Sequence, residues 1–404
     1  MRAYEYLLKY AQVYTTSDPD SESCPSTSRQ KDLAKIVVED LKKIGCADAH
    51  MDENGYVYAS VPATPGCEEK PALGLIAHMD TAPDASGENV KPLLHENYDG
   101  EALTLPAGIV MDPVRFPFLK DLKGETLITS DGSTLLGADD KSGISEILAA
   151  VETIIKEDKP HGKLCIGFTP DEEIGRGADL FDIPGFGADF AYTVDGGDVG
   201  GIEYDNFNAA SAVVTIRGLS VHPGEAKDTM VNASNVAMEF HMALPVMDRP
   251  EHTCGREGFY HLDQMYGDVN EAKLGYILRD HDMNKLEYKK QTMQHIAECL
   301  NGKYGEGTVE VEIKDSYRSM LEQIKPHFHL IETARKAVKA VGLEPVEEPV
   351  RGGTDGATLS WMGLPCPNLG TGGFNFHGVY ECTTVERMDK ATKVLENIVA
   401  LYAE

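Results

Sequence analysis

Apolar segments alternate with amphipathic stretches over the first half of the chain. Apolar runs within 71–82 and 163–173 each end in polar residues, as buried strands do, whereas residues 142–158 carry apolar side chains at helical spacing. A third apolar run, within 188–197, again ends in an acidic residue. This alternation predicts an α/β fold in which helices pack on a mixed, largely parallel sheet.

The pattern changes between residues 207 and 319. The segments there read in order as strand, helix, two strands, helix and strand, which is the β-α-β-β-α-β order of a ferredoxin-like sandwich. Three helical segments follow, at 321–341, 354–362 and 384–403, and resume the first pattern. We therefore expect one α/β domain formed by residues 1–206 and 320–404, with a smaller α+β domain, 207–319, inserted in it.

Composition narrows the classes of partner. The chain has 404 residues and a net charge of −29, from 37 Lys and Arg against 66 Asp and Glu. So large an acidic excess repels phosphate backbones and anionic lipids, and it attracts cations. We expect no nucleic-acid or membrane partner. The eight cysteines form no C-x-x-C pair and no run of about 20 apolar residues occurs, so we expect reduced thiols and a cytoplasmic protein.

His78 and Asp80 lie at the end of a predicted strand, on the same face because side chains alternate along a strand. One could bind a metal and the other could orient it, since a metal-bound imidazole usually donates its second N–H to a carboxylate. The alternative is simply a polar strand end.

Two pairs of adjacent acids lie at predicted turns. Asp139 and Asp140 stand at a helix start, where capping explains one of them and a carboxylate shared by two cations is the specific alternative for the other. Glu172 and Glu173 follow Pro170, which should end a strand. One glutamate could bind metal while its neighbour acts as a general base, unless the pair is only a solvated acidic turn.

Asp195, at the end of another strand, and His377, in a glycine-rich segment, complete the candidate set. Histidine nitrogens and carboxylate oxygens together suit divalent zinc, cobalt or manganese. The candidate metal ligands are His78, Asp140, Glu173, Asp195 and His377.

Seven short strings resemble, in order and approximate spacing, the motifs of the tripeptide aminopeptidases within the co-catalytic zinc peptidases, a family that includes carboxypeptidase G and the aminoacylases. The strings are HMDT (78–81), GADDKSG (137–143), PDEEIG (170–175), VDGG (194–197), HPGEAKDTMVNA (222–233), RGGTDGA (351–357) and LGTGGFNFHGVYE (369–381). The resemblance implies a catalytic di-zinc peptidase domain with an inserted lid domain, two Zn²⁺ per subunit with Co²⁺ or Mn²⁺ as substitutes, and short unblocked peptides as substrates. It is compatible with a homodimer.

The resemblance also implies a role for each residue of the site. It gives His78 and Asp195 to one zinc and Glu173 and His377 to the other, with Asp140 as the bridging ligand, Asp80 orienting His78, Glu172 as the general base and a cis peptide after Asp140.

Four residues outside the metal set are candidates for binding substrate. His222 matches a histidine that helps to hold the oxyanion in relatives. Arg351 lies in a glycine-rich loop where a guanidinium can grip a carboxylate, and Arg279 and Asn232 are further candidates.

The implied reaction is hydrolysis of the first peptide bond of a tripeptide by a water activated by two zinc ions, with Glu172 as base. A dipeptidase, a carboxypeptidase or an N-acyl-amino-acid deacylase of the same family are the alternatives. No G-x-G-x-x-G after a strand, P-loop, H-E-x-x-H or G-x-S-x-G string occurs, which disfavours nucleotide-dependent enzymes, helix-borne zinc proteases and serine hydrolases.

Overall fold

A computed structural model describes residues 1–404, and the chain divides into two compact units. The first, called here the α/β unit, comprises 1–204, 320–348 and 354–404, and the second, the α+β unit, comprises 205–319 and 349–353.

The strands are numbered in chain order. They are β1 (His50–Met51), β2 (Val57–Val61), β3 (Leu73–His78), β4 (Leu93–His95), β5 (Leu103–Thr104), β6 (Val110–Met111), β7 (Leu127–Thr129), β8 (Leu164–Thr169), β9 (Phe190–Gly196), β10 (Ile202–Glu203), β11 (Asn208–Arg217), β12 (Phe259–Gly267), β13 (Glu271–Asp280), β14 (Val309–Tyr317), β15 (Asn368–Gly370) and β16 (Cys382–Thr384).

The α-helices are numbered in the same way. They are α1 (Ala3–Tyr10), α2 (Gln30–Ile44), α3 (Ala138–Lys156), α4 (Ile183–Phe186), α5 (Ala233–Ala243), α6 (Met283–Tyr304), α7 (Leu321–Ile324), α8 (His329–Ala340), α9 (Asp355–Trp361) and α10 (Val385–Ala403).

The α/β unit is built on a mixed sheet of seven strands in the order β1-β2-β8-β3-β9-β15-β10. The central pairs β8–β3, β3–β9 and β9–β15 are parallel, and the remaining pairs are antiparallel. Strands β3 and β8 are buried along their whole length, which explains their unbroken apolar runs. Because β3, β8 and β9 run in the same direction, the residues that follow them meet at one edge of the sheet.

The α+β unit has the predicted β-α-β-β-α-β order. Its four strands form an antiparallel sheet in the order β12-β13-β11-β14. Helices α5 and α6 bury apolar side chains such as Phe240 and Met293 in one cluster with residues of the sheet, including Leu274. The mixed α/β fold and the ferredoxin-like order are therefore confirmed.

Two details differ from the expected elements. The helix expected at 321–341 is interrupted, because α7 ends before a 3₁₀ turn that contains Pro326. Residues 349–353, expected in the α/β domain, belong to the α+β unit, where the Phe207 N–H donates to the Val350 carbonyl and the Arg351 guanidinium donates to the Gly255 carbonyl.

The loop 84–120, for which the sequence predicts little, contains β4 and the short hairpin β5–β6. Strand β4 joins β7 and β16 in a small antiparallel sheet. No helix of the structure combines the length and the apolar character needed to cross a membrane.

Candidate metal centre

His78 ends β3 and lies at the centre of the site, with a side chain that is only 2% exposed. Its Nε2 lies 2.9 Å from Asp139 Oδ1, 3.3 Å from Asp195 Oδ1 and 4.0 Å from Glu172 Oε2. The structure thus brings the ends of three neighbouring strands and the start of α3 together, as the expected edge of a parallel sheet requires.

Asp80 is fully buried and contacts two parts of the site. Its Oδ1 lies 3.3 Å from His78 Nδ1, consistent with the orienting role implied for it. The same carboxylate accepts the backbone N–H groups of Glu172 and Glu173, at 3.0 and 3.2 Å. Asp80 therefore fixes both the imidazole of His78 and the turn that presents the two glutamates.

Asp139 lies between the two histidines. Its Oδ1 contacts His78 Nε2, and its Oδ2 lies 3.2 Å from His377 Nε2. One carboxylate oxygen thus faces each imidazole, which is the arrangement expected of a group shared by two cations.

Asp140 is oriented differently, although the resemblance assigned the bridging role to it. Its Oδ2 accepts the backbone N–H of His78 and its Oδ1 accepts that of Gly143, both at 3.1 Å. Asp139 and Asp140 have non-helical backbone angles, so the regular part of α3 begins at Lys141, and the bond to the Gly143 N–H makes Asp140 its N-cap. Asp140 is therefore the acid of the pair that capping explains. The cis peptide joins Asp139 to Asp140, one bond earlier than the resemblance implied.

Glu173 and His377 form the second side of the site. Glu173 Oε2 lies 2.9 Å from His377 Nε2, while Glu173 Oε1 is buried without a hydrogen-bond partner. His377 is about half exposed, at 47%, so this side of the site is the more open to solvent.

Glu381 holds the loop that carries Asp139. It is 1% exposed, and its two oxygens accept the backbone N–H groups of Leu136, Gly137 and Asp139 at 2.7 to 2.9 Å. Because His377 lies four residues before Glu381, this carboxylate connects the histidine segment to the Asp139 loop.

The candidate metal site contains more acidic side chains than its two histidines can neutralise. Burial raises the pKa of Asp195 to about 8, and burial with the nearby Asp139 raises that of Glu173 to about 7. Burial also raises the pKa of Glu172 well above its ordinary value, with Asp195 adding to it. Burial opposes charge on His78, but Asp195, Asp139 and Asp80 outweigh it and raise the pKa of His78. A bound cation would satisfy these carboxylates.

Two groups of side chains have the geometry to bind an ion. The ligand atoms lie within 4.8 Å of one another in the set His78, Asp140 and Asp195 and in the set His78, Asp139 and Glu173. The unpartnered Glu173 oxygen also fits a metal, because a buried carboxylate oxygen requires a donor or a cation. The donor set of imidazole and carboxylate suits divalent transition metals.

Arg351, expected to grip a substrate carboxylate, is bound within the α+β unit. Its Nη1 donates to the Gly255 and Glu257 carbonyls and its Nη2 to Thr253 Oγ1, at 2.7 to 3.0 Å. The guanidinium also lies over the Phe207 ring, 5.0 Å from its centre. In this conformation, the two Nη groups are not available for a bidentate grip on a ligand.

The other three candidates for substrate binding also lie in the α+β unit. Arg279 Nη1 donates to the Arg351 carbonyl at 2.7 Å, and Asn232 caps α5 by accepting the Asn235 N–H. His222 begins a 3₁₀ turn, where its Nδ1 accepts the Gly224 N–H at 3.1 Å. Capping thus gives Asn232 a structural role in addition to the one expected from the sequence.

The sequence of residues 131–401 matches that of peptidase family M20/M25/M40. This segment contains five residues of the site: Asp139, Glu172, Glu173, Asp195 and His377. The chain belongs to this family. The resemblance given by the seven strings is thereby confirmed.

Other members of the M20/M25/M40 family and related structures match this chain over nearly its whole length. Peptidase T of Alkaliphilus oremlandii is 52% identical, with 98% of each chain covered. The crystal structures of aminopeptidase PepT from Bacillus cereus and of a tripeptidase from Staphylococcus aureus each superpose with a TM-score of 0.80 at 22% identity, covering 100% of this chain and 98% of theirs. At that identity, the structures establish the fold.

Sequence reasoning missed two residues of this M20/M25/M40 site. Asp139 has no predicted role of its own, because the sequence spacing allows either acid of the pair to cap the helix, and only the structure shows that Asp140 accepts the Gly143 N–H. Glu381 closes the last motif string, but nothing in the sequence indicates that its partners are backbone N–H groups more than 240 residues away.

Proposed function

We propose that the protein is a tripeptide aminopeptidase that removes the N-terminal residue of short unblocked peptides. The observation that carries this proposal is the site in which two histidines face the two oxygens of one partly buried carboxylate, that of Asp139. The peptidase T relative at 52% identity and the tripeptidase of the same fold support the substrate class.

We assign the metal site to two Zn²⁺ ions, with Co²⁺ or Mn²⁺ as substitutes. His78 and Asp195 would hold one ion, Glu173 and His377 the other, and Asp139 rather than Asp140 would be shared by both. When bound, the two ions would lower the pKa of a coordinated water and polarise the scissile carbonyl.

Glu172 would supply the general base. Its Oε2 lies 4.0 Å from His78 Nε2, and its side chain is 15% exposed, so it faces the site without belonging to either ligand group. Burial raises the pKa of Glu172 above its ordinary value, which makes this carboxylate a stronger base that can take a proton from the attacking water and return it to the leaving amine. Asp80 would keep this side chain in place through the backbone of the turn.

The α+β unit would serve as a lid and contribute substrate contacts, a role supported by the resemblance alone. His222 would help to hold the developing oxyanion, with Asn232, Arg279 and Arg351 as candidates for the ends of the peptide. Arg351 would first have to leave its bonds to the 253–257 loop. Cytoplasmic location and a homodimer remain part of the same proposal.

Parallel assays test the proposal. Purified protein is analysed for metal and then assayed on Ala-Ala-Ala, Ala-Ala and N-acetyl-Ala-Ala-Ala, before and after chelation. We expect about two equivalents of metal, release of the first alanine from the tripeptide, little activity on the other substrates and loss of activity on chelation. Faster cleavage of the dipeptide, release of the C-terminal residue or preferential removal of the acyl group would instead identify one of the alternative activities.

A further inference from the structure

The turn that presents Glu172 begins with a strained residue. Asp171 has a backbone φ of 58°, in the left-handed region that side chains other than glycine rarely adopt. Its side chain is only 1% exposed. A residue persists in this conformation when the surrounding structure fixes it, so the contacts of Asp171 determine how the turn enters the site.

Arg176 contributes an ion pair, with its Nη2 3.8 Å from Asp171 Oδ2, and its N–H donates to the Asp171 carbonyl. The hydrogen bonds to the carboxylate and to the N–H of Asp171 come from the N-terminal segment of the chain. The Gln30 Nε2 donates to Asp171 Oδ1 at 2.6 Å, while the Gln30 Oε1 accepts the Asp171 backbone N–H at 3.1 Å. The Ser26 backbone N–H donates to Asp171 Oδ2 at 2.7 Å, and the Ser26 hydroxyl donates to Oδ1. One glutamine amide therefore holds both the side chain and the backbone of Asp171.

Gln30 is itself fixed in place. It is the first residue of α2 and is 1% exposed, and its Nε2 also approaches Ser26 Oγ and Thr27 Oγ1, both at 3.3 Å. A buried polar side chain whose donor and acceptor are both paired has little freedom to move. The segment lies outside residues 131–401, so the family match assigns it no role.

The turn is thus held from two sides. Asp80 accepts the N–H groups of Glu172 and Glu173, and Gln30 holds the preceding residue, Asp171. Release of the Asp171 anchor would let the turn relax from its left-handed start and displace Glu172, the next residue. Glu173, the candidate metal ligand on the same turn, would still be held by the bond of its N–H to Asp80 and by its contact with His377.

We propose that Gln30 is a positioning residue for Glu172, acting through Asp171. The inference rests on the proposed function, in which Glu172 is the general base. It extends the machinery of the site to a side chain far away in the sequence.

The variant Gln30→Met tests this role, because methionine keeps the length of the side chain and removes both the donor and the acceptor. We expect kcat on Ala-Ala-Ala to fall about 10- to 100-fold, as a small misplacement of a catalytic group can cause, with KM and metal content unchanged. In the metal-free protein, deuterium uptake should rise in residues 170–176 and stay unchanged in 136–143. A folded variant with wild-type kcat and wild-type uptake would overturn the inference.

A double-mutant cycle shows whether the effect passes through Asp171. Glycine adopts the left-handed conformation freely, so Asp171→Gly removes both the strain and the carboxylate that Gln30 holds. In that background, Gln30→Met should cause a much smaller further loss of kcat, and full additivity of the two losses would overturn the route through Asp171.

Two further variants keep the test decisive. If Gln30→Met does not fold, Ser26→Ala can replace it, because it removes one hydroxyl donor to the same carboxylate. This variant should also lower kcat, and unchanged kcat would overturn the inference.

Asn301→Ala is the matched control. Asn301 bonds both the N–H and the carbonyl of Val309, so the variant breaks a comparable pair of side-chain to backbone bonds, and it should leave kcat unchanged. A similar fall of kcat in this control would overturn the inference by showing a general loss of rigidity.

Failure of the proposed function would look different. If the wild-type protein does not hydrolyse tripeptides, the function fails, while a rise in uptake confined to 170–176 would still support the anchoring of the turn by Gln30.

Discussion

The two pairs of adjacent acids, Asp139–Asp140 and Glu172–Glu173, look alike in the sequence and are held differently in the structure. In the first pair, Asp139 faces both histidines, whereas Asp140 accepts two backbone N–H groups and caps α3. In the second pair, the backbone N–H groups are bound by Asp80, which leaves both side chains free to face the site.

The difference shows that the backbone decides which acid is available for chemistry. An acid whose oxygens already accept N–H bonds contributes structure, as Asp140 does. An acid whose oxygens meet only imidazoles or no partner, such as Asp139 or Glu173, contributes charge that a cation can use.

The largest difference in activity and metal content should be between the asparagine variants of Asp139 and Asp140. Asp139→Asn should abolish activity and reduce metal content below two equivalents, because it removes the charge that faces both histidines. Metal analysis of the purified variant measures this. Asp140→Asn is the matched control, and the assignment of the shared ligand would be wrong if Asp140→Asn lost metal and Asp139→Asn kept it.

Substitution of Glu172 should affect catalysis, whereas substitution of Glu173 should affect metal binding. Glu172→Gln should lower kcat by about 10²- to 10⁴-fold, the usual contribution of a general base, and keep both metal equivalents. Glu173→Gln should lose metal, because it removes a charge from the carboxylate that contacts His377. Steady-state kinetics and metal analysis of the two variants measure the contrast, and wild-type kcat in Glu172→Gln would exclude it as the base.

Substitution of Glu381, in the last motif string, should have a smaller but measurable effect on metal affinity. Glu381→Gln replaces an oxygen acceptor by an amide donor that faces backbone N–H groups, so it should loosen the Asp139 loop and lower metal affinity about 10- to 100-fold, as loss of a supporting group typically does. Competition with a chelating dye measures the affinity. Asp52→Asn, at a carboxylate that also accepts two backbone N–H groups, is the control that should leave affinity unchanged.

Metal affinity should also depend on pH. Burial raises the pKa of Asp195 to about 8 and that of Glu173 to about 7 in the metal-free protein, so both acids take up protons as the pH falls through these values. Because a cation binds the carboxylate form, affinity should fall as the pH is lowered through this window and rise above it. Titration calorimetry in buffers of different ionisation enthalpy should show proton release on binding, and release of no protons would contradict the prediction.

The smallest effect should be structural. Asp140→Asn should lower the free energy of unfolding of the metal-free protein by about 1–3 kcal/mol, the cost of leaving a buried N–H unpaired. Denaturant unfolding measures the loss. Unchanged stability would show that the two N–H bonds to Asp140 are dispensable.

Much of the fold follows from the sequence because strands buried on both faces, such as β3 and β8, leave unbroken apolar runs, and the strand and helix periods of the α+β unit are distinct. The interruption before α8 follows from Pro326, a local signal that the helical pattern of 321–341 obscures. His78, Glu173, Asp195 and His377 could also be predicted from the sequence as candidate metal ligands, since each lies in a motif string.

The sequence by itself determined which residue types reach the site, because strand ends in a parallel sheet meet at one edge and the motif strings place histidines and acids there. Tertiary structure alone decided how each of them is used. Asp139 was distinguished from Asp140 by the direction of the backbone at the start of α3, and Glu381 and Gln30 entered through bonds to backbone N–H groups more than 100 residues away. Such bonds leave no periodicity or spacing in the sequence, since their partners are main-chain groups that every residue except proline carries.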